Sequence, residues 1–150
     1  MLLILVAWLL QAVPAVQNTA HLELKTSSSA GSVARRGKVT LQVDVTPKPK
    51  MHVYAPGQDG YIAVDLALTA NAAFTAAKAR YPAGEKYVMP ALNETQIVYA
   101  KPFRITQEVT LKSAAPGSVT ILGTVRYQAC DDAICYLPKT IPVEWKIDVR

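Results

Sequence analysis

The chain has two cysteines, Cys130 and Cys135, and both lie in the run Tyr127, Gln128, Ala129, Cys130, Asp131, Asp132, Ala133, Ile134, Cys135, Tyr136, Leu137, Pro138. The residues between them have the composition of a β-hairpin tip. A pair so spaced can constrain a loop as a disulfide, exchange two electrons as a dithiol/disulfide couple, or supply half of a metal site. Cysteines closing a hairpin can lie within the Cα separation of about 4.4 to 6.8 Å usual for a disulfide, so a bond between them is geometrically reasonable. Closing so short a loop removes little chain entropy, which makes the bond a poor staple, while exposure raises a disulfide's readiness to be reduced. Asp131 and Asp132 place two negative charges beside Cys130 and disfavour its thiolate, which points to a dithiol activated by its partner or by shielding. On spacing alone, constraint and exchange both stay open.

A zinc site would have to draw on Cys130, Cys135, His52 and His21. The two histidines are unpaired and distant in sequence, and there is no second cysteine pair, so the metal alternative is the weakest. His52 reads instead as a partly exposed loop residue near the cysteines. No serine sits in a nucleophile elbow, no glycine-rich loop could cradle a phosphate, and Glu85, Glu94 and Glu108 form no catalytic pair.

The elements that must position the pair are strands. Period-two alternation runs through Leu22 and Leu24, through Val39, Leu41, Val43 and Val45, and through Ile62, Val64, Leu66 and Leu68. It continues in Phe103, Ile105, Val109 and Leu111, interrupted by Gln107, and resumes in Val119, Ile121, Val125 and Tyr127. Ile141, Val143, Trp145, Ile147 and Val149 form the cleanest case, with Pro142 marking an edge. The alanine-rich stretch Ala70 to Ala79 reads as a turn at Asn71 followed by a strand rather than as a helix. About seven short strands punctuated by turns predict an all-β, immunoglobulin-like antiparallel sandwich. Two segments, Pro47 to Gly60 and Tyr81 to Pro102, read as long loops of the functional kind.

At 150 residues the chain has room for one domain with a real core. Met1 to Gln17 carries no charge, and its apolar run Leu2 to Leu10 reads as a secretory signal peptide ending between Gln17 and His21. The alternative is a short anchor, although the run falls below the roughly 20 residues that span a bilayer. The expected division is therefore 1–20 as leader or anchor and 21–150 as the exported domain. No later segment could cross a membrane. The net charge of +5 is scattered, with only Arg35, Arg36 and Lys38 or Lys48 and Lys50 near one another, and no interleaved aromatics, which argues against nucleic acid.

The sequence resembles the N-terminal periplasmic domain of the thiol:disulfide interchange protein DsbD. The resemblance is carried by Tyr127, Gln128, Ala129 and Cys130 with Cys135, Tyr136, Leu137 and Pro138, and by His52, Val53, Tyr54, Ala55, Pro56 and Gly57. Leu92, Asn93, Glu94, Thr95, and after a gap Val98, Tyr99, Ala100, Lys101, Pro102 and Phe103 add to it. It implies an immunoglobulin-like sandwich in the periplasm whose cysteine pair cycles between dithiol and disulfide without a bound cofactor. It further implies, for a monomer, thioredoxin-like partners or a membrane electron carrier, and acceptors among disulfide isomerases and cytochrome c maturation proteins. The second cysteine of the pair, Cys135, would form mixed disulfides and Cys130 would resolve them. His52 and Tyr54 match the aromatic strand beside the pair, with Asp131, Asp132 and Tyr136 close by, and a shielding cap would fall between Gly84 and Thr95, with Tyr87 and Met89 as covers. This pair is one residue closer than in the best-known member, and a domain acting alone would need a separate reductant. A function from another class, a non-catalytic exported binding sandwich with a structural disulfide, competes with this one.

Overall fold

A computed structural model describes residues 13–150, so the apolar run Leu2 to Leu10 of the expected leader lies outside the described residues. Among the described residues there is no helix, and none therefore that could cross a membrane. Thirteen strands make three sheets.

The first sheet contains β1 (Val16–Asn18), β2 (Leu22–Ser28), β4 (Lys38–Pro47), β10 (Phe103–Leu111) and β7 (Phe74–Ala76), in that order and antiparallel throughout. The second runs β3 (Ser32–Val33), β13 (Lys139–Val149), β11 (Gly117–Tyr127) and β6 (Asp65–Leu68), with β3 alone parallel to its neighbour. Their inner faces close one core. Leu22, Leu24, Leu41, Val43 and Val45 from the first meet Ile121, Val125, Val143, Trp145 and Ile147 from the second. The Trp145 indole N–H donates across the layers to the Ser27 carbonyl at 2.9 Å, so the largest core side chain leaves no polar atom orphaned. This is the immunoglobulin-like sandwich that the alternation predicts.

Several expectations are refined. Gln107 does not interrupt its strand: it stays on the inward face of β10, buried, and its amide donates to the Ala77 carbonyl at 2.7 Å. Asn71 does make the turn, its side chain accepting the Ala73 N–H at 2.8 Å ahead of β7. Pro142 faces the sparsely paired side of β13, where only Asp148 and Val149 meet β3.

The two presumed loops need correction, because they hold β5 (His52–Tyr54), β8 (Glu85–Met89) and β9 (Glu94–Tyr99), which with β12 (Ala129–Cys130) make a third sheet in the order β12, β5, β9, β8. All three residues of β5 are buried, so the strand shows no alternation in sequence. Its faces nevertheless differ. Val53, with its partners Ala129 and Tyr99, packs on the main core, whereas Tyr54, Val98 and Cys130 form a separate small cluster. β8 and β9 form a hairpin whose turn places Asn93 at φ +51°, a conformation asparagine tolerates, with its N–H donating to the Met89 carbonyl at 2.9 Å.

Candidate functional site

The outer face of the third sheet carries the cysteine pair. Cys130 and Cys135 stand directly opposite each other, with Cα atoms 4.0 Å apart, and their sulfurs are bonded. Backbone hydrogen bonds lie on either side, from Asp131 N–H to the Ile134 carbonyl at 2.9 Å and from Tyr136 N–H to the Ala129 carbonyl at 2.8 Å. The cysteines thus occupy a non-hydrogen-bonded position of a tight hairpin, where facing side chains come closest. The two cysteines differ in access: residue Cys130 is completely buried and residue Cys135 is exposed.

Register explains what surrounds Cys130. It pairs with His52 on β5, Tyr54 pairs with Val98 on β9, and Gln96 pairs with Tyr87 on β8, so these side chains share one face of the sheet. The Tyr54 hydroxyl lies 3.2 Å from Cys135 Sγ and 3.3 Å from Cys130 Sγ. A disulfide has no S–H, so the hydroxyl is the donor to both sulfurs. Burial and the neighbouring Tyr61 push its pKa up, partly offset by a hydrogen bond from Gln96, and it stays protonated and able to donate.

Two matching arms grip the hairpin tip. On one side His52 stacks on Tyr87 at 4.4 Å between centroids, and the Tyr87 hydroxyl donates to Asp132. On the other, His21 stacks on Tyr136 at 4.5 Å, and the Tyr136 hydroxyl donates to Asp131 at 2.8 Å. Asp131 also accepts the N–H groups of Ala133 and Ile134, both at 2.8 Å. Those backbone donors, with Tyr136, hold its carboxyl below the usual range. The carboxylates are thus occupied in forming and tying down the turn. Hydrogen bonding to Asp132 raises Tyr87, and bonding to Asp131 raises Tyr136.

Both histidines are buried, and neither His52 Nε2 nor His21 Nδ1 has a hydrogen-bond partner. Burial lowers the pKa of His52 against the opposing pull of Asp132 and Asp131; burial, then Lys139 and Lys48, lowers that of His21. His52 is accordingly a buried strand residue, not the partly exposed loop residue that its proline- and glycine-rich surroundings suggest. The cysteines are bonded to each other, and among the described residues no three His, Cys, Asp or Glu side chains gather as a metal site.

A family model for the N-terminal part of the thiol:disulfide interchange protein DsbD matches residues 21–145. The chain belongs to that family. Among solved structures, the N-terminal periplasmic domain of ScsB from Proteus mirabilis superposes with a TM-score of 0.55 at 14% identity, over 87% of this chain and 46% of that one. At that identity the likeness speaks for the DsbD N-terminal fold alone, and this chain spans less than half of the ScsB structure. A family 123 glycoside hydrolase from Clostridium perfringens aligns at TM-score 0.43 and 9% identity, over 84% of this chain and 27% of that one. No curated protein matches the sequence significantly.

Within this DsbD-type domain, the stretch Gly84 to Thr95 is the β8–β9 hairpin, and of its two named covers only Tyr87 packs on the cluster around Cys130. Met89 lies on the same face of β8 but outside that cluster, buried with its sulfur 3.6 Å from the Gln96 amide nitrogen. Sequence reasoning missed Tyr61 and Gln58. Tyr61 stacks on Tyr54 at 4.6 Å and donates to Glu94 at 2.7 Å. Gln58 fixes the loop that carries it, donating to the Ala55 carbonyl at 3.0 Å and accepting the Ile97 N–H at 2.9 Å. An amide three residues before an aromatic inside a glycine-flanked loop was the available signal.

Proposed function

We propose that this domain is a periplasmic thiol–disulfide exchange module that passes two electrons through Cys130 and Cys135, from a thioredoxin-like or membrane-borne donor to disulfide-containing acceptors. The observation that carries this reading is the unequal access of the two bonded cysteines, with Cys135 exposed and Cys130 buried. Membership in the DsbD N-terminal family supports it.

In the electron-accepting direction, a donor thiolate attacks the sulfur of the exposed cysteine, Cys135. A donor–Cys135 bond forms, the Cys135–Cys130 bond breaks, and Cys130 departs as a thiolate. A buried thiolate without a partner is costly, and the Tyr54 hydroxyl at 3.3 Å is placed to hydrogen-bond it. The donor's second thiolate then attacks the donor sulfur, which leaves the donor oxidised and both cysteines reduced, with two protons taken up. Delivery runs in reverse: Cys135 attacks the acceptor's disulfide, and Cys130 attacks Cys135 to release the acceptor as a dithiol. Cys135 is therefore the contact sulfur and Cys130 the resolving one. Tyr87 and His52, held over the pair by Asp132, act as its shield, and disulfide isomerases and cytochrome c maturation proteins are the expected acceptors.

Trapping tests the assignment. The Cys130→Ser variant should accumulate a mixed disulfide with a thioredoxin-like protein, because nothing remains to resolve it, and Cys135→Ser should accumulate none. Trapping through Cys135→Ser alone would reverse the roles. A reduction potential below about −300 mV, with no reduction by thioredoxin-like proteins, would make the bond a structural clamp instead.

A further inference from the structure

An exchange partner must bring its own sulfur into line with the Cys135–Cys130 bond, so the side chains beside Cys135 enter the interface whatever the partner is. Those side chains are apolar and strongly exposed. Leu137 is 85% exposed, the most of any large hydrophobic residue described, and Ile134 is 53% exposed. Between them Tyr136 is engaged by His21 and Asp131, leaving Ile134, one position before Cys135, and Leu137, two positions after it, exposed at the hairpin tip. Neither belongs to either core cluster, so the fold does not require apolar residues there. A single exposed leucine is ordinary. Two within four positions, on either side of the exposed Cys135 in the chain, are not, and the centres of protein interfaces are where charge is depleted and apolar anchors gather.

We propose that Ile134 and Leu137 form an apolar collar that docks the surface around the reactive cysteine of a protein partner, so that the domain exchanges with protein dithiols in preference to small thiols. The partner's matching chemistry is a cysteine set in uncharged, apolar surface. This rests on the exchange function proposed above and deepens it: the collar supplies recognition, and the sulfurs with Tyr54 supply the chemistry.

The test compares two reductants of the oxidised domain, reduced thioredoxin and dithiothreitol, in the wild type and in Leu137→Ser, Ile134→Ser and the double variant, with Leu122→Ser as a control exposed on β11. The double variant should lose about tenfold or more in kcat/KM toward thioredoxin, the scale of one buried leucine, while its rate with dithiothreitol stays within about twofold. Leu122→Ser should change neither. Unchanged kinetics with thioredoxin, or an equal loss with both reductants, would overturn the collar. A wild type that exchanges with dithiothreitol but not with thioredoxin would overturn the exchange function and the collar with it.

Discussion

Replacing Tyr54 by phenylalanine removes one oxygen atom from contact with both sulfurs and leaves the ring that stacks on Tyr61 in place. The disulfide loses little, because its sulfurs are weak acceptors; the Cys130 thiolate loses its hydrogen-bond donor in a site without solvent. A hydrogen bond to a charged group is worth about 1.5 to 3 kcal/mol, and its loss disfavours the Cys130 thiolate against the thiol by that much. If about half of the leaving charge has developed in the transition state, in keeping with the Brønsted slopes of thiol exchange, reduction should slow by roughly three- to tenfold. The assay is reduction by dithiothreitol at several pH values, quenched by alkylation and read by mass, with the Cys130 pKa taken from thiolate absorbance in Cys135→Ser. The slowing should appear in the rate without a matching drop in the urea midpoint. A Tyr54→Phe variant with unchanged rate and unchanged Cys130 pKa would refute the argument, since a merely structural tyrosine would alter stability and leave both readouts alone.

Two further outcomes follow from the surrounding groups. His52 has its pKa lowered from 6.5 by burial, so the unfolded chain binds its proton first as pH falls, and the stability it contributes is complete above 6.5 and lost as pH drops toward its folded value. The His52→Phe variant keeps a ring against Tyr87 and should flatten that pH dependence between pH 7.5 and 5 in urea titrations, by at most one proton's worth, the His21 share remaining; an unaltered slope would count against it. At Gly84 an added Cβ would lie 2.7 Å from both Ala55 Cβ and Ile97 Cγ2, so Gly84→Ala should cost about 1 to 3 kcal/mol and speed amide exchange in the β8–β9 hairpin. An unshifted urea midpoint would show that the hairpin accommodates the methyl group.

Where a strand has one face on the core and one in water, its sequence announces it. Ile141 to Val149 on β13 and Val39 to Val45 on β4 are of that kind. The third sheet is not, because the main core lies under it and the cysteine site above it. β5 is buried on both faces, which erases alternation, and β9 carries the buried Gln96 where a hydrophobic residue would have marked the pattern. Prolines at 82 and 102 lie outside the β8–β9 hairpin and Pro90 sits in its turn, so none interrupts a strand, yet they make the segment read as a loop. For the site, the cysteine run and the His52 to Gly57 segment were legible as motifs. The pairing of each tip aspartate with a tyrosine, and of each tyrosine with a histidine, was not, because those partners meet across as many as 115 residues, from His21 to Tyr136.

The side chains that enclose the pair come mostly from earlier in the chain: His21, His52, Tyr54, Tyr61, Tyr87 and Gln96 all precede Cys130. Synthesis runs from the N-terminus, and structure can gather as the chain emerges. The face they form nevertheless rests on a core that β13 completes, and β13 is made after both cysteines. The interval in which the cysteines stand open to stray oxidants therefore lasts until the distant strands of the sandwich have found one another, not only until a short hairpin tip has closed.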